Sequence, residues 1–247
     1  MGICQDLIQL KTMLLSIIIP TLNEEKYLPR LLTSIKAQNF FDYEIIVSDG
    51  GSTDKTKEIA ANFNCRFIED NKHRHPSWQR NNGADIAFGE ILLFLDADIV
   101  LRPEFLNKIL EEFINNKYVG SGFYIEFNPN KAAYVFYAGL FNFFCLLRQY
   151  FAPAAVGSAI LAQRSAHIKI KGFDTSLYMA EDFDYCYRLS RQGCFRMIKS
   201  CRILHSSRRL EKEGSVMVGL KWSFMALFTL FNFKIKRKIV NYEFGKY

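Results

Sequence analysis

The chain has few histidines and cysteines, and it has no apolar run of membrane-spanning length without a charged residue. Its four histidines and six cysteines are scattered, and no two cysteines form a CxxC pair. Scattered thiols in a protein of this size predict a reduced, cytosolic environment. No secretory signal is expected, because Asp6 and Gln9 interrupt the only apolar N-terminal segment. Two apolar stretches, 132–151 and 216–233, contain Arg148 and Lys221 and fall short of the ~20 uncharged residues that a membrane span needs.

Aromatic side chains are abundant, and charge is unevenly distributed. The 23 Phe and 12 Tyr must partly pack a core or lie against something apolar outside it. The net charge is +7, and residues 188–247 hold 14 Lys and Arg against 3 Asp and Glu. A basic C-terminal region predicts an anionic partner, which could be substrate phosphates, acidic lipid headgroups or nucleic acid. Charge alone does not distinguish these.

The first hundred residues alternate short apolar runs with helical patterns. Apolar runs at 14–19, 44–48, 65–69 and 91–95 predict buried strands, and the segments between them show helical spacing. This order predicts an α/β protein with right-handed βαβ units and a mostly parallel sheet flanked by helices. Further strands are expected at 119–127, 158–162 and 201–204. We predict one domain over residues 14–210 and an aromatic, basic, helical extension over 211–247.

Polar side chains follow the predicted strands where they end. Thr21 and Asn23 follow the first strand, Asp49 ends the second, and Asp96 and Asp98 follow the fourth. In open parallel sheets ligands bind beyond the carboxyl ends of the strands. These side chains are therefore expected to converge on one crevice.

The triplet Asp96-Ala97-Asp98 has the chemistry of a divalent cation site. Two carboxylates leaving one strand end form a hard oxygen site, which suits Mg²⁺ or Mn²⁺ completed by water and substrate phosphates. Such a cation would neutralise charge on a departing diphosphate. A DxD triplet alone is a weak signal, because it also occurs in solvated turns. Its place at the end of a buried strand favours the functional interpretation.

Several short motifs together resemble the family 2 glycosyltransferases. They are SIIIPTLNEE at 16–25, EIIVSDGGSTD at 44–54, QRN at 79–81, LFLDAD at 93–98, KGFD at 171–174 and MAEDFD at 179–184. Each is weak by itself, but their order and spacing make the match specific over roughly residues 14–210. The resemblance implies the nucleotide-diphospho-sugar transferase (GT-A) fold.

The resemblance also implies roles for matching residues. It implies an inverting, metal-dependent transfer of a sugar from a UDP- or GDP-sugar to a hydroxyl, with Mn²⁺ or Mg²⁺ as cofactor. Asp182 would be the general base that deprotonates the acceptor. The expected metal ligands are Asp98 and His205, although a lone histidine is often structural. The expected donor-binding residues are Thr21 and Glu24 (nucleoside), Asp49 (base), Arg80 (diphosphate), Asp96 (ribose), Glu181 and Arg208.

Other functions and partners remain open from the sequence. The processive motif Gln-x-x-Arg-Trp is absent, so transfer of single sugars is preferred. A nucleotidyltransferase of related fold is disfavoured, because Pro20-Thr21-Leu22-Asn23 stands where a Gly-rich triphosphate loop would be. A non-enzymatic membrane- or anion-binding module would leave the strand-end residues unexplained, and nucleic acid is not an expected partner.

The two apolar stretches raise the question of a membrane surface. Aromatic-rich helices beside the basic run 234–238 favour peripheral association with the cytoplasmic face of a membrane and a lipid-linked acceptor. The alternative is that both stretches pack on the catalytic domain or pair in a homodimer.

Overall fold

The computed structural model describes residues 13–128 and 131–206. In these residues seven strands form one sheet, and seven helices lie around it. The strands are β1 (Leu15–Thr21), β2 (Tyr43–Asp49), β3 (Arg66–Glu69), β4 (Ile91–Leu95), β5 (Gly120–Asn128), β6 (Ala159–Gln163) and β7 (Phe195–Ser206). The helices are α1 (Leu28–Lys36), α2 (Thr56–Asn62), α3 (Pro76–Asp85), α4 (Phe105–Asn115), α5 (Ala132–Arg148), α6 (Arg164–Lys169) and α7 (Glu181–Ser190). The expected extension over 211–247 lies outside these residues.

The sheet is mostly parallel, as the alternation of strands and helices predicted. Its order is β3-β2-β1-β4-β6-β5-β7. The first four strands in this order are parallel, and β5 is parallel to β7. Strand β6 runs antiparallel to both of its neighbours, β4 and β5. The segment that leads into β6 therefore arrives at the same edge of the sheet where the parallel strands end.

The core lies on both faces of the sheet, which explains the uninterrupted apolar character of the central strands. Every residue of β4 is buried, and β1 is buried except at Pro20. Helix α1 places Leu28, Leu31 and Ile35 against one face at helical spacing. Fully burying one such side chain contributes about 1.5–3 kcal/mol. Packing on two faces thus holds the strand ends in place.

Strand β7 is longer than the sequence predicted. We expected a strand only at 201–204, but β7 begins at Phe195 and its pairing with β5 shifts register between Phe123 and Tyr124. The shift leaves residues 199–201 without partners on β5. The Glu112 carboxylate of α4 accepts the backbone N–H groups of Lys199 and Ser200 instead. The bulge interrupts the alternation of inward and outward side chains along β7, so the sequence shows no continuous period-two pattern there.

Helix α5 is the longest of the described helices, with 17 residues. None of the helices in the described part of the chain has the length and apolar character needed to cross a membrane.

Candidate active site

The loops that follow β1 and β2 are joined by side-chain hydrogen bonds. Asn23 adopts a left-handed backbone conformation (φ 58°), which Asn tolerates better than most residues. Its N–H donates to Ser52 Oγ at 2.7 Å, and its Oδ1 accepts the N–H of Thr53 at 2.9 Å. Nearby, the Glu24 N–H donates to Thr56 Oγ1 at 2.9 Å. The two loops therefore form one wall at the carboxyl edge of the sheet.

The Asp49 carboxylate organises this wall. Its Oδ1 accepts the hydroxyls of Thr21 at 2.7 Å and Ser52 at 2.6 Å. Its Oδ2 accepts the N–H groups of Gly51 at 2.9 Å and Ser52 at 2.6 Å. Asp49 is only 1% exposed. The predicted contact of Asp49 with a nucleoside base stays a prediction, and it requires one hydroxyl to give up its hydrogen bond.

Arg80 is the centre of a buried ion cluster. Its side chain is 3% exposed and comes from α3. One terminal nitrogen donates to Glu181 Oε1 at 3.1 Å, and the other donates to Asp96 Oδ1 and the Gly157 carbonyl, both at 3.0 Å. Burial lowers the pKa of Arg80, but the neighbouring carboxylates outweigh it and raise that pKa above its ordinary value. The guanidinium stays charged.

The expected contact of the Arg80 fork with a donor diphosphate stays a prediction. Both terminal nitrogens bind protein oxygens, and the guanidinium lies 5.3 Å from the Phe173 ring. Asp96 is the more exposed carboxylate of the cluster, with 38% of its side chain exposed against 12% for Glu181. In this structure Arg80 therefore orients a carboxylate that is exposed at the carboxyl edge of the sheet.

Asp182 lies in the first turn of α7 and is tied to the same cluster through Gly157. The Gly157 N–H donates to Asp182 Oδ2 at 2.7 Å, while the Gly157 carbonyl accepts from Arg80. Burial and the neighbouring Glu181 charge raise the pKa of Asp182 to about 7, although Arg80 and two N–H groups act in the opposite direction. A carboxylate with a pKa near the working pH is suited to accept and release a proton.

Activity is expected to depend on the ionisation of Asp182. Only the carboxylate form accepts a proton, so kcat/KM should fall about ten-fold per pH unit below the pKa of about 7 and level off above it. Initial rates at subsaturating acceptor across the neutral range measure this. An acid limb centred near the ordinary aspartate pKa would contradict the assignment.

Asp98 and His205 are the two expected metal ligands. Asp98 is half-buried in the loop after β4. An antiparallel bridge between Val100 and Leu204 brings the backbone of His205 to this loop. The His205 side chain and Arg208 are outside the described part of the structure. Among the described residues no cluster of three or more His, Cys, Asp or Glu could hold a metal. The Asp98 carboxylate has the oxygen chemistry that Mg²⁺ and Mn²⁺ prefer, and its predicted role as a metal ligand stays a prediction.

Two structural supports were not predicted from the sequence. Gly157 leaves little room for a side chain, because a Cβ there would lie 3.0 Å from Arg80 Nη2 and 3.2 Å from Asp182 Oδ2 and would displace these groups by a few tenths of an ångström. Asn81 binds both backbone groups of Phe173, at 2.8 and 2.9 Å, and so fixes the ring beside Arg80. The motif residues at 79–81 and 171–174 were visible in the sequence, but their pairing was not.

The fold and this edge of the sheet define the class of protein. A mostly parallel α/β sheet with acidic residues at the strand ends is the architecture of the GT-A nucleotide-diphospho-sugar transferases, and the fold prediction is confirmed. Residues 16–169 match the model of glycosyl transferase family 2. The chain belongs to that family, as the sequence motifs predicted.

Individual relatives agree with this assignment. The chain is 38% identical over 104 residues to a Campylobacter jejuni GalNAc(5)-diNAcBac-PP-undecaprenol beta-1,3-glucosyltransferase, covering 40% of this chain and 34% of the relative. The match thus spans about a third of that relative's length. The fold is similar to a Pyrobaculum calidifontis mannosyltransferase, PcManGT, in complex with GDP-Man and Mn²⁺ (TM-score 0.67, 18% identity, 77% and 56% coverage). It is also similar to S. aureus TarS 1–349 in complex with UDP-GlcNAc (TM-score 0.65, 19% identity, 78% and 58% coverage).

Proposed function

We propose that this chain transfers a sugar, with inversion, from a nucleotide diphosphate donor to an acceptor hydroxyl. The observation that carries the proposal is the linkage of Asp182 to Asp96 through Gly157 and Arg80. One end of this linkage is the exposed carboxylate of Asp96 at the strand ends, and the other is the Asp182 carboxylate, whose pKa is raised to about 7. The linkage would hold the carboxylate that contacts the donor and the carboxylate that takes the proton in a fixed relation.

The proposed reaction needs one proton acceptor and one displacement. Asp182 takes the proton of the acceptor hydroxyl as its oxygen bonds to the anomeric carbon and the bond to the diphosphate oxygen breaks. The Gly157 N–H keeps the Asp182 carboxylate oriented during this step. Asp96, held by Arg80, would contact the ribose, and Thr21, Glu24 and Asp49 would form the nucleoside wall.

A divalent cation, Mn²⁺ or Mg²⁺, completes the proposal. Asp98 would hold it, and His205 is the second expected ligand. When bound, the cation supplies positive charge that offsets the charge developing on the leaving diphosphate. The Mn²⁺ in the PcManGT complex supports a metal in this fold.

The donor and acceptor are proposed by class. The GDP-Man and UDP-GlcNAc complexes of the two structural neighbours support a GDP- or UDP-sugar. The name of the Campylobacter relative supports a lipid-linked acceptor. We further propose that residues 14–210 form the catalytic domain, and that the two apolar stretches, 132–151 and 216–233, associate with the cytoplasmic face of a membrane. Nothing in the described site favours the nucleotidyltransferase or non-enzymatic alternatives.

The donor assignment is tested by titrating UDP- and GDP-sugars with and without Mn²⁺. We expect Mn²⁺ to strengthen donor binding by about ten-fold or more in the native chain, because Asp98 would hold the cation and its positive charge would attract the diphosphate. Asp98→Asn should abolish this gain. Asp85→Asn, at the exposed end of α3, is the matched control and should keep it. Equal Mn²⁺ enhancement in Asp98→Asn would overturn the metal assignment, and no binding of any nucleotide sugar would overturn the function.

A further inference from the structure

Helix α5 has two apolar faces, and the protein covers only one of them. Its inner face packs on β5 and the neighbouring core through Tyr134, Ala138 and Cys145, all buried. Asn142 binds both backbone groups of Ile125, at 2.8 and 2.9 Å, and so fixes the helix to the strand. The rotational position of α5 on the sheet is therefore fixed.

The opposite face of α5 is apolar and exposed. Phe136, Leu140, Phe143 and Leu147 recur at intervals of four, three and four residues, which places them on one side of the helix. Their exposed fractions are 67%, 52%, 57% and 51%. Val135 and Leu146, also in α5, are exposed as well. Two further exposed aromatic residues, Tyr150 and Phe151, follow directly after the helix end.

The outer face has no acidic residue on its own helix or in the flanking sequence, and a cation lies near each end. Between Glu126 and Asp174 the sequence contains no Asp or Glu. Lys131, at the start of α5, is exposed. Arg196 lies 4.8 Å from the ring of Tyr150, so a cation and an amphipathic ring meet at the other end of the face. This charge is complementary to anionic headgroups.

The outer face is also close to the proposed base. On its inner side α5 contacts α7 through Phe144 and Phe183, whose ring centroids are 6.4 Å apart. Phe183 follows Asp182 directly. The Arg148 guanidinium, in the last turn of α5, lies 5.8 Å from the same ring. One helix thickness therefore separates the outer face from the residue next to Asp182.

We propose that the outer face of α5 is the surface by which this chain rests on an anionic lipid bilayer. Phe136 and Phe143 would enter the interfacial layer, and Lys131 and Arg196 would lie at the level of the headgroups. An acceptor hydroxyl anchored in the same layer would then reach Asp182 from beside α7. The delivery of an acceptor hydroxyl to Asp182 rests on the proposed function. The membrane-binding surface itself is inferred from the geometry of α5.

The experiment measures binding of the full chain to phosphatidylcholine vesicles with and without phosphatidylglycerol. The native chain should bind the vesicles that contain phosphatidylglycerol. Phe136→Ser/Phe143→Ser should weaken this binding by about ten-fold or more, because two large exposed side chains no longer enter the bilayer. Phe41→Ser/Ile114→Ser is the matched control. It removes apolar side chains that are 81% and 46% exposed and lie outside α5, one just before β2 and the other in α4, and it should bind as the native chain does.

Several results would overturn the proposal. One is unchanged vesicle binding by Phe136→Ser/Phe143→Ser. Another is conversion of a dimer into a monomer by this variant, seen by light scattering, which would assign the face to a second copy. A large fall in melting temperature with unchanged vesicle binding would show that another part of the chain covers this face. Titration of a nucleotide sugar into the same variants separates this failure from failure of the proposed function, since donor binding should be unaffected.

Discussion

Replacing Asp182 by Asn is expected to lower kcat by about 10²–10⁴-fold and to leave donor binding nearly unchanged. The amide has almost the same shape but cannot take a proton from the acceptor. The hydrogen bonds of Asp182 with Gly157 and Phe183 share no residue with those of Asp49 and Thr21, which are expected to contact the nucleoside. Donor affinity by titration and turnover by product formation separate the two effects.

Asp184→Asn is the matched control for this experiment. Asp184 lies in the same first helical turn, two residues along, and its carboxylate accepts from Arg188 at 2.6 Å instead of facing the ion cluster. The control removes the same charge from the same helix end, so any general effect on α7 appears in both variants. Turnover in Asp184→Asn should remain within a few-fold of the native value. Full activity in Asp182→Asn would remove the base assignment.

Replacing Arg80 by Leu is expected to cost about 3–5 kcal/mol of folding free energy. The substitution leaves the carboxylates of Asp96 and Glu181 without the cation that neutralises them. It also removes the charge that lowers the pKa of Asp182, so the acid limb of kcat/KM should move to higher pH. Denaturant unfolding and a pH–rate profile measure the two consequences.

Arg80→Lys and Lys57→Leu provide the comparisons for this prediction. Lysine keeps the charge but cannot donate to three oxygens in the same fork geometry, so it should recover part of the stability and part of the pH shift. Lys57 forms an ion pair with Glu69 and is 71% exposed, so its loss should cost less than about 1 kcal/mol. Equal costs for Arg80→Leu and Lys57→Leu would show that the cluster contributes nothing special.

Most of the fold was predictable because the strands and helices are recognised from short segments of the sequence. The apolar runs that became β1 and β4 needed no partner to be recognised, and their parallel pairing follows from the helices between them. The strand-end positions of Asp49 and Asp96 follow from the same reasoning. Strand β7 was predicted too short, since its bulge is stabilised by Glu112, which is 87 residues away from Lys199.

The contacts of the site were less predictable, because they join distant parts of the chain. Arg80 meets Gly157 across 77 residues and Glu181 across 101. The position of Gly157 depends on β6 running against its neighbours, which periodicity does not show. The ion cluster around Arg80 was therefore not predicted, and the expected contact of Arg80 with a diphosphate stays a prediction. The four hydrogen bonds to Asp49 were not predicted either, and its expected contact with a base stays a prediction.

The antiparallel course of β6 has a consequence for how the chain reaches its native state. Arg80 gains its three partners only after β4 has paired with β6 and α7 has docked. A partly folded state that buries α3 earlier would bury the Arg80 guanidinium without its partners, which is unfavourable by several kcal/mol. Such states are penalised, so assembly of the catalytic cluster and completion of the sheet should occur together as one cooperative transition.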